Sequence, residues 1–375
     1  MMFFPHILLP GPTPVPESVQ RAMMTSMSDH RGHIFDAVRE RVTTNLHALF
    51  HLDPQGRVAV LPASGTGGLE AVVQNFFQPG DEVIVVEGGL FGQRFGRSAE
   101  SVGLNVTRIN HPWGTAFEPS EILQAVKNHP EVKGVLVTHN ETSTGVLNPI
   151  KALGAQLSEI PNRPLLIVDS ISGAPSVPLP MPDWGVDVAV AASQKGFMVP
   201  PGLAIVAATS RALPFLQNER PGRYFLDLTP YFENNFPYTP AVSLWYGLDE
   251  ALVLLAQEGE IGRLERHQLL SRITRAFVRG AGLTLPVEDA NASPTVTAIH
   301  LPEDIAPARL RKACAADNLQ IAGGLGPWSS SSFRIGHVGA LDIGDLWAGL
   351  GILAHHVPRP SDAIAAAFSA WQTAR

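Results

Sequence analysis

The chain has 375 residues, 45% of them hydrophobic and 16% charged, with 34 glycines and 32 prolines. That balance excludes charge-driven disorder and supplies enough apolar mass for a large domain with a smaller one attached. A formal charge of -7 with no basic run excludes the usual footprint of a nucleic-acid or anionic-membrane binder, and a single cysteine, Cys314, excludes an intramolecular disulfide and a cysteine-held zinc site.

In chain order, the apolar opening of residues 1–9 contains Pro5 and His6, lacks a basic start, and runs into Pro10-Gly11-Pro12-Thr13-Pro14. It reads as an ordered arm over residues 1–20 rather than a secretory signal. No stretch reaches the ~20 apolar residues of a membrane span. The cytoplasm is therefore the expected location, with neither membrane nor metal ion expected as a partner.

Between residues 58 and 209, short apolar runs alternate with helical patterns, which is the signature of a largely parallel sheet covered by helices on both faces. Seven strands are predicted, over 58–61, 83–86, 105–109, 134–139, 164–169, 187–193 and 203–209. The last two are too close for a crossover helix and are expected to pair antiparallel. Helical periodicity runs from Leu69 through Val72, Val73 and Phe76 to Phe77, and again from Leu244 through Leu248, Ala251 and Leu252 to Leu255. Residues 213–240 are aromatic and proline-rich without a period, an expected irregular excursion. The chain punctuates at Glu258-Gly259-Glu260-Ile261-Gly262. Leu264, Leu270, Ile273 and Phe277 then resume a helix, and strands are expected over 295–300 and 332–335. The expected division is an arm (1–20), a large domain (21–258) and a smaller α/β domain (259–375).

Ligands of open parallel sheets bind outside the carboxyl ends of the strands. After the first predicted strand, Ser64-Gly65-Thr66-Gly67-Gly68 leads into a helix, either a tight turn or an anion cradle built from free N–H groups. After the second, Phe91 stands among glycines, as a core aromatic or as a plate for a flat ring. After the fourth comes the polar turn His139-Asn140-Glu141-Thr142-Ser143-Thr144-Gly145, which either binds a ligand or satisfies its own backbone. Asp169 closes the fifth strand as a turn residue or a rim acid. Lys195 follows the sixth in Ser193-Gln194-Lys195-Gly196, where it is either a solvated strand end or a desolvated amine suited to Schiff-base chemistry. An anion cradle, a plate, a rim acid and a rim lysine on one sheet together match the needs of pyridoxal 5′-phosphate.

With those residues in view, the sequence resembles the class V aminotransferases of the alanine–glyoxylate and serine–glyoxylate type. The carriers are Leu9-Pro10-Gly11-Pro12-Thr13, Asp29-His30-Arg31-Gly32, Ser64-Gly65-Thr66-Gly67, Phe91-Gly92-Gln93-Arg94, Thr142-Ser143-Thr144-Gly145, Val168-Asp169-Ser170, Ser193-Gln194-Lys195, Tyr238-Thr239-Pro240, Gly323-Gly324-Leu325-Gly326-Pro327 and Phe333-Arg334-Ile335-Gly336. Relatives often carry Trp where this chain has Phe91. The resemblance implies a fold-type I enzyme, a homodimer with shared active sites, which transfers an amino group from alanine or serine to glyoxylate or a similar 2-oxo acid. It implies Lys195 and Asp169 as catalytic residues and Phe91 stacked on the cofactor. Thr142 is implied near the ring's phenolic oxygen. Phosphate contacts are implied from Thr66, Gly67, Gly68 and Gln194, with Tyr238 and Thr239 reaching across from the partner subunit. Arg334 and Gly11 are implied at the substrate, with a salt bridge as the other reading of Arg334. The alternatives are a class V lyase, a cysteine desulfurase, or a scaffold of this fold without catalysis. A desulfurase needs a mobile thiol, and Cys314 sits in an apparent helix.

Overall fold

The protein is described from a computed structural model that covers residues 5–217, 223–233 and 237–373. The chain opens with β1 (His6–Leu8), α1 (Glu17–Met23), α2 (His33–Leu49) and β2 (Arg57–Leu61), followed by α3 (Gly65–Phe76), β3 (Glu82–Glu87), α4 (Leu90–Ser101) and β4 (Asn105–Asn110). Next come α5 (Pro119–Asn128), β5 (Gly134–Thr138), a hairpin of β6 (Asn140–Glu141) and β7 (Val146–Leu147), α6 (Ile150–Leu157), β8 (Leu165–Asp169), β9 (Val188–Ala192) and β10 (Ala204–Ala208). The remainder is α7 (Leu228–Phe232), α8 (Val242–Glu258), α9 (Glu260–Gly280), β11 (Val296–His300), α10 (Pro307–Ala316), β12 (Leu319–Gly323), β13 (Ser332–Gly336), α11 (Ile343–Ala354) and α12 (Pro360–Gln372).

All seven strands expected between residues 58 and 209 join one sheet, ordered β2-β10-β9-β8-β5-β3-β4. Strands β9, β8, β5, β3 and β4 run parallel, while β10 is antiparallel to both β9 and β2, as the short connection demands. The central strands are continuous Val, Ile, Leu and Ala because both faces are covered. Val60 and Ala191 face one core, and Leu61 and Val190 face the other. At the edge, β4 carries Thr107, Arg108 and Asn110 and is largely accessible, which blunts the open edge.

A four-stranded sheet, ordered β1-β12-β13-β11, forms the second layer, with α9, α10, α11 and α12 around its core. The patterning missed two of its strands. β12 is a five-residue strand entered from Asn318 at φ 67°, and β1 gains its partner from the far end of the chain, with His6 opposite Leu319. Leu8 is fully buried in this core. Between α8 and α9 the backbone turns at Gly259 (φ 73°), a conformation that a side chain resists. The expected excursion over 213–240 has more order than its composition suggests. Asp227 caps α7 through the Thr229 amide at 3.1 Å, and Leu228, Tyr231 and Phe232 enter the core beside β2.

Candidate active site

The carboxyl ends of β5, β8 and β9 meet the starts of α3 and α4 where the polar turns were expected. Ser193 holds the turn after β9 in place. Its hydroxyl donates to the Pro200 carbonyl at 2.7 Å and accepts from the Leu203 amide at 3.1 Å. Lys195 is thereby presented at the rim, and its Nζ donates to the Pro10 carbonyl. Thr13 Oγ1 donates to the Lys195 carbonyl at 3.3 Å, so the N-terminal segment lies across this turn. Gly11 fits there for a steric reason. Its φ is 117°, and a Cβ would lie 2.6 Å from Lys195 Cδ and Nζ.

Desolvation draws the Lys195 amine down to about 8, helped by the Arg334 cation and opposed by Asp169. Asp169 ends β8 at 3% exposure, and its Oδ1 accepts from the Ile171 amide at 2.9 Å. Burial lifts its carboxyl to about 7; the Ile171 amide opposes the rise, the Glu141 carboxylate adds to it and Lys195 opposes it. An acid and an amine whose pKa values converge near neutrality at one sheet edge mark a functional site.

Thr142 Oγ1 donates to Ser172 Oγ at 2.6 Å, and Ser172 Oγ donates to the Asn140 carbonyl at 2.8 Å. Arg334, on β13, reaches this turn. Its Nη1 donates to the Thr142 carbonyl and its Nε to the Gly323 carbonyl, both at 2.9 Å. The two bonds fix the guanidinium plane and leave donors of its fork over. Burial pulls its pKa to about 10. His139, after β5, is buried and faces Ser170 Oγ at 3.1 Å; desolvation lowers it to about 4, so it is a neutral ring.

At α3, Ser64 Oγ accepts from the Gly67 amide at 3.3 Å, and Thr66 is exposed on the first turn. Gly68 lets the helix start sit against the sheet, since a Cβ there would lie 2.8 Å from Val190 Cγ1. Gln194 Oε1 is buried without a partner. A helix N-terminus pressed onto the strand ends suits an anionic group, whereas the unpartnered Gln194 Oε1 calls for a donor. Phe91 is partly buried at the start of α4, with the Arg94 guanidinium 5.1 Å from its ring centroid. Tyr238 lies elsewhere, stacked on Phe225 at 5.3 Å with its hydroxyl donating to the Tyr224 carbonyl at 3.3 Å. Thr239 beside it is exposed. Among the described residues neither one hydrogen-bonds to Lys195 or Asp169 within the chain.

Sequence reasoning passed over Glu141. Buried at 1% exposure, its carboxylate accepts from the amides of Phe91, Gly92 and Ser143 and from Ser143 Oγ. It ties the start of α4, and with it Phe91, to the turn that carries Thr142. An acid among so many turn donors was the only signal. Cys314 is fully buried in α10, and burial pushes its thiol up to about 11, which leaves it inert. The described residues include no helix long and apolar enough to cross a membrane.

The aminotransferase class-V family model matches residues 13–335. The chain is 37% identical over 351 residues to serine–glyoxylate aminotransferase from Methylorubrum extorquens, covering 90% of this chain and 87% of that one. It is 37% identical over 344 residues to L-aspartate–glyoxylate aminotransferase from Paracoccus denitrificans, covering 89% and 86%. It is also 35% identical over 354 residues to a protein named as the small subunit of a soluble hydrogenase from Synechococcus sp., covering 92% and 91%. Among solved structures, ureidoglycine–glyoxylate aminotransferase from Bacillus subtilis superposes with a TM-score of 0.93 at 27% identity, covering 99% of both chains.

Proposed function

The chain belongs to the class V aminotransferases and has their fold-type I architecture, and on that premise we propose that it uses pyridoxal 5′-phosphate held by Lys195 to transfer the amino group of a small neutral amino acid, alanine or serine, to glyoxylate or a similar 2-oxo acid. The observation that carries this reading is that Lys195 and Asp169, at the strand ends of the large sheet, meet Arg334 reaching over from the second sheet, each perturbed by burial. When bound, the cofactor supplies an electron sink for charge developing at the substrate Cα.

The other steps fall to the chain's own residues. The first turn of α3, with Thr66, Gly67 and Gly68, and the Gln194 side-chain NH2 would hold the phosphate. Phe91 would stack on the ring and Thr142 would approach its phenolic oxygen. Asp169 would pair with the ring nitrogen, whose cation would return the carboxyl to its ionised form. Lys195, with its pKa near 8, has enough neutral amine at mildly alkaline pH to take the Cα proton and return it. Arg334 grips the substrate carboxylate with the part of its fork left over from Thr142 and Gly323, while Gly11 leaves room beside the amine.

The preference for neutral donors rests on that anchored fork; Arg311, the other cation felt by Arg334, donates to the Ile321 carbonyl at 3.3 Å. The Methylorubrum relative's name agrees and the Paracoccus relative's name does not. Alanine, serine, glycine and aspartate, each offered with glyoxylate and with pyruvate, decide it. Alanine or serine with glyoxylate should give the highest kcat/KM, and aspartate as best donor overturns the substrate class. The desulfurase alternative lacks a nucleophile, given the buried Cys314. We further propose the division into 1–20, 21–258 and 259–375 as the working domain boundaries, a cytoplasmic location, and a homodimer in which Tyr238 and Thr239 complete the partner's phosphate site.

A further inference from the structure

Away from the site just described, a cavity of about 580 Å³ opens between β7, the outer face of α9, the segment preceding β11 and the end of α12. Leu147, Leu264, Pro294 and Ala370 contribute apolar wall, and no aromatic ring among the described residues lines it. Arg272, Arg275 and Arg279 project along one side at helical spacing, with Asp289 opposite. Asp289 is already committed, accepting from Arg275 Nε at 2.7 Å and from Arg279 Nη2 at 2.6 Å. Arg275 also donates to the Val287 carbonyl at 2.6 Å. Exposed Arg272 has no acceptor among the described residues, so the cavity keeps a planar cationic fork beside an apolar wall.

We propose that this cavity binds an organic monocarboxylate with an apolar body, and that its occupancy modulates the active site. The size is that of a small-molecule site. A carboxylate matches the free fork of Arg272. One free fork takes one carboxylate, since Arg275 and Arg279 are already paired with Asp289, and the lack of an aromatic plate among the described residues disfavours a nucleotide base. The route to the catalytic turn is short. Leu147 lies opposite Asn140 in the β6–β7 hairpin, and Val146 bridges to Ala292 of the cavity wall. Asn140 Nδ2 donates to Ser172 Oγ at 2.8 Å, the oxygen that receives Thr142. A ligand packed between Leu147 and α9 therefore fixes the hairpin that carries the catalytic turn against the second layer.

Octanoate titrated into the purified full-length protein by calorimetry tests this without reference to transamination. Saturable binding with one site per chain is expected. It should weaken at least tenfold in Arg272→Glu and in Leu264→Asp, persist in Lys127→Glu, which makes the same charge change on a distant helix, and persist in Arg334→Lys. Acetate, which lacks the apolar body, and inorganic phosphate should bind at least tenfold more weakly. In the assay, saturating octanoate should change kcat/KM at least twofold in the unmodified protein and not in Arg272→Glu. The proposal is overturned by absent saturation, by equal weakening in Lys127→Glu, by loss in Arg334→Lys, by phosphate or acetate binding as tightly, or by an activity that ignores the probe. Because binding is read as heat, an error in the proposed donor leaves this result intact.

Discussion

Residue by residue, the site is a set of buried charges whose protonation depends on one another. Glu141 is the informative one. Its carboxylate raises the Asp169 pKa through like charge while it caps α4. Glu141→Gln should move the acid limb of the pH profile for cofactor binding by the cofactor-free protein downward, because the repulsion that raises Asp169 is gone. A purely structural role would lower stability and leave that limb in place. Arg334→Lys keeps the charge and loses the fork, and it should raise KM for the amino donor about 10- to 100-fold while the cofactor's absorbance stays unchanged. Steady-state kinetics and a visible spectrum on one sample check both halves. Lys195, Asp169 and the turn that holds Thr142 were legible because each follows an apolar strand, while Arg334 and the role of Thr142 came only with the family resemblance. Glu141 was not legible, since a buried carboxylate is recognised by the amides aimed at it, and two of its three, from Phe91 and Gly92, come from about fifty positions away.

Among the elements, the parallel strands could be read because burial on both faces forces continuous apolar runs. The same logic fails for β1 and β12. Three residues carry no period, and Gln320 interrupts β12 on its exposed side. Their pairing is a tertiary fact. Leu8→Ala empties a fully buried position in that second core and should cost about 2–5 kcal/mol in denaturant unfolding. A cost under about 0.5 kcal/mol, the range of ordinary surface changes, would show that β1 contributes little to that core. At α3 the constraint is close approach. Gly68→Ala inserts a methyl 2.8 Å from Val190 and should lift the helix start off the sheet. Affinity for pyridoxal phosphate should fall with it, along with about 1–3 kcal/mol of stability.

For the whole molecule, pH bears on stability through groups buried uncharged. His139 and His337 are lowered by burial to about 4 and His267 to about 3. A histidine depressed in the folded state contributes its stability above its unfolded value, about 6.5. That contribution is lost as pH falls from there toward 4, because the unfolded chain takes up protons that the folded one refuses. Asp169 acts in the opposite sense, since a raised carboxyl favours folding at low pH and loses that contribution between its unfolded value and about 7. Glu141, whose carboxyl burial also raises, acts with Asp169, but three histidines outweigh two carboxyls, so urea midpoints should fall from pH 6.5 to pH 4.5, and a flat profile would show that these rings find protons in the fold. Assembly is the second test at this scale. Sedimentation should find a dimer, and Thr239→Ala should weaken cofactor binding without dissociating it, whereas a fully active monomer would rule out the shared site.

The strand β1 pairs with residues more than 300 positions further along the sequence, and just beyond it Pro10 meets the Lys195 amine. A ribosome therefore releases the first strand long before its partner β12 exists. The large sheet can condense during synthesis from neighbours close in sequence, but the cover over its reactive lysine must wait for nearly the whole chain. Catalytic competence is thus among the last properties the nascent polypeptide acquires, and a translation product arrested before residue 319 would carry a folded sheet beneath an uncovered amine.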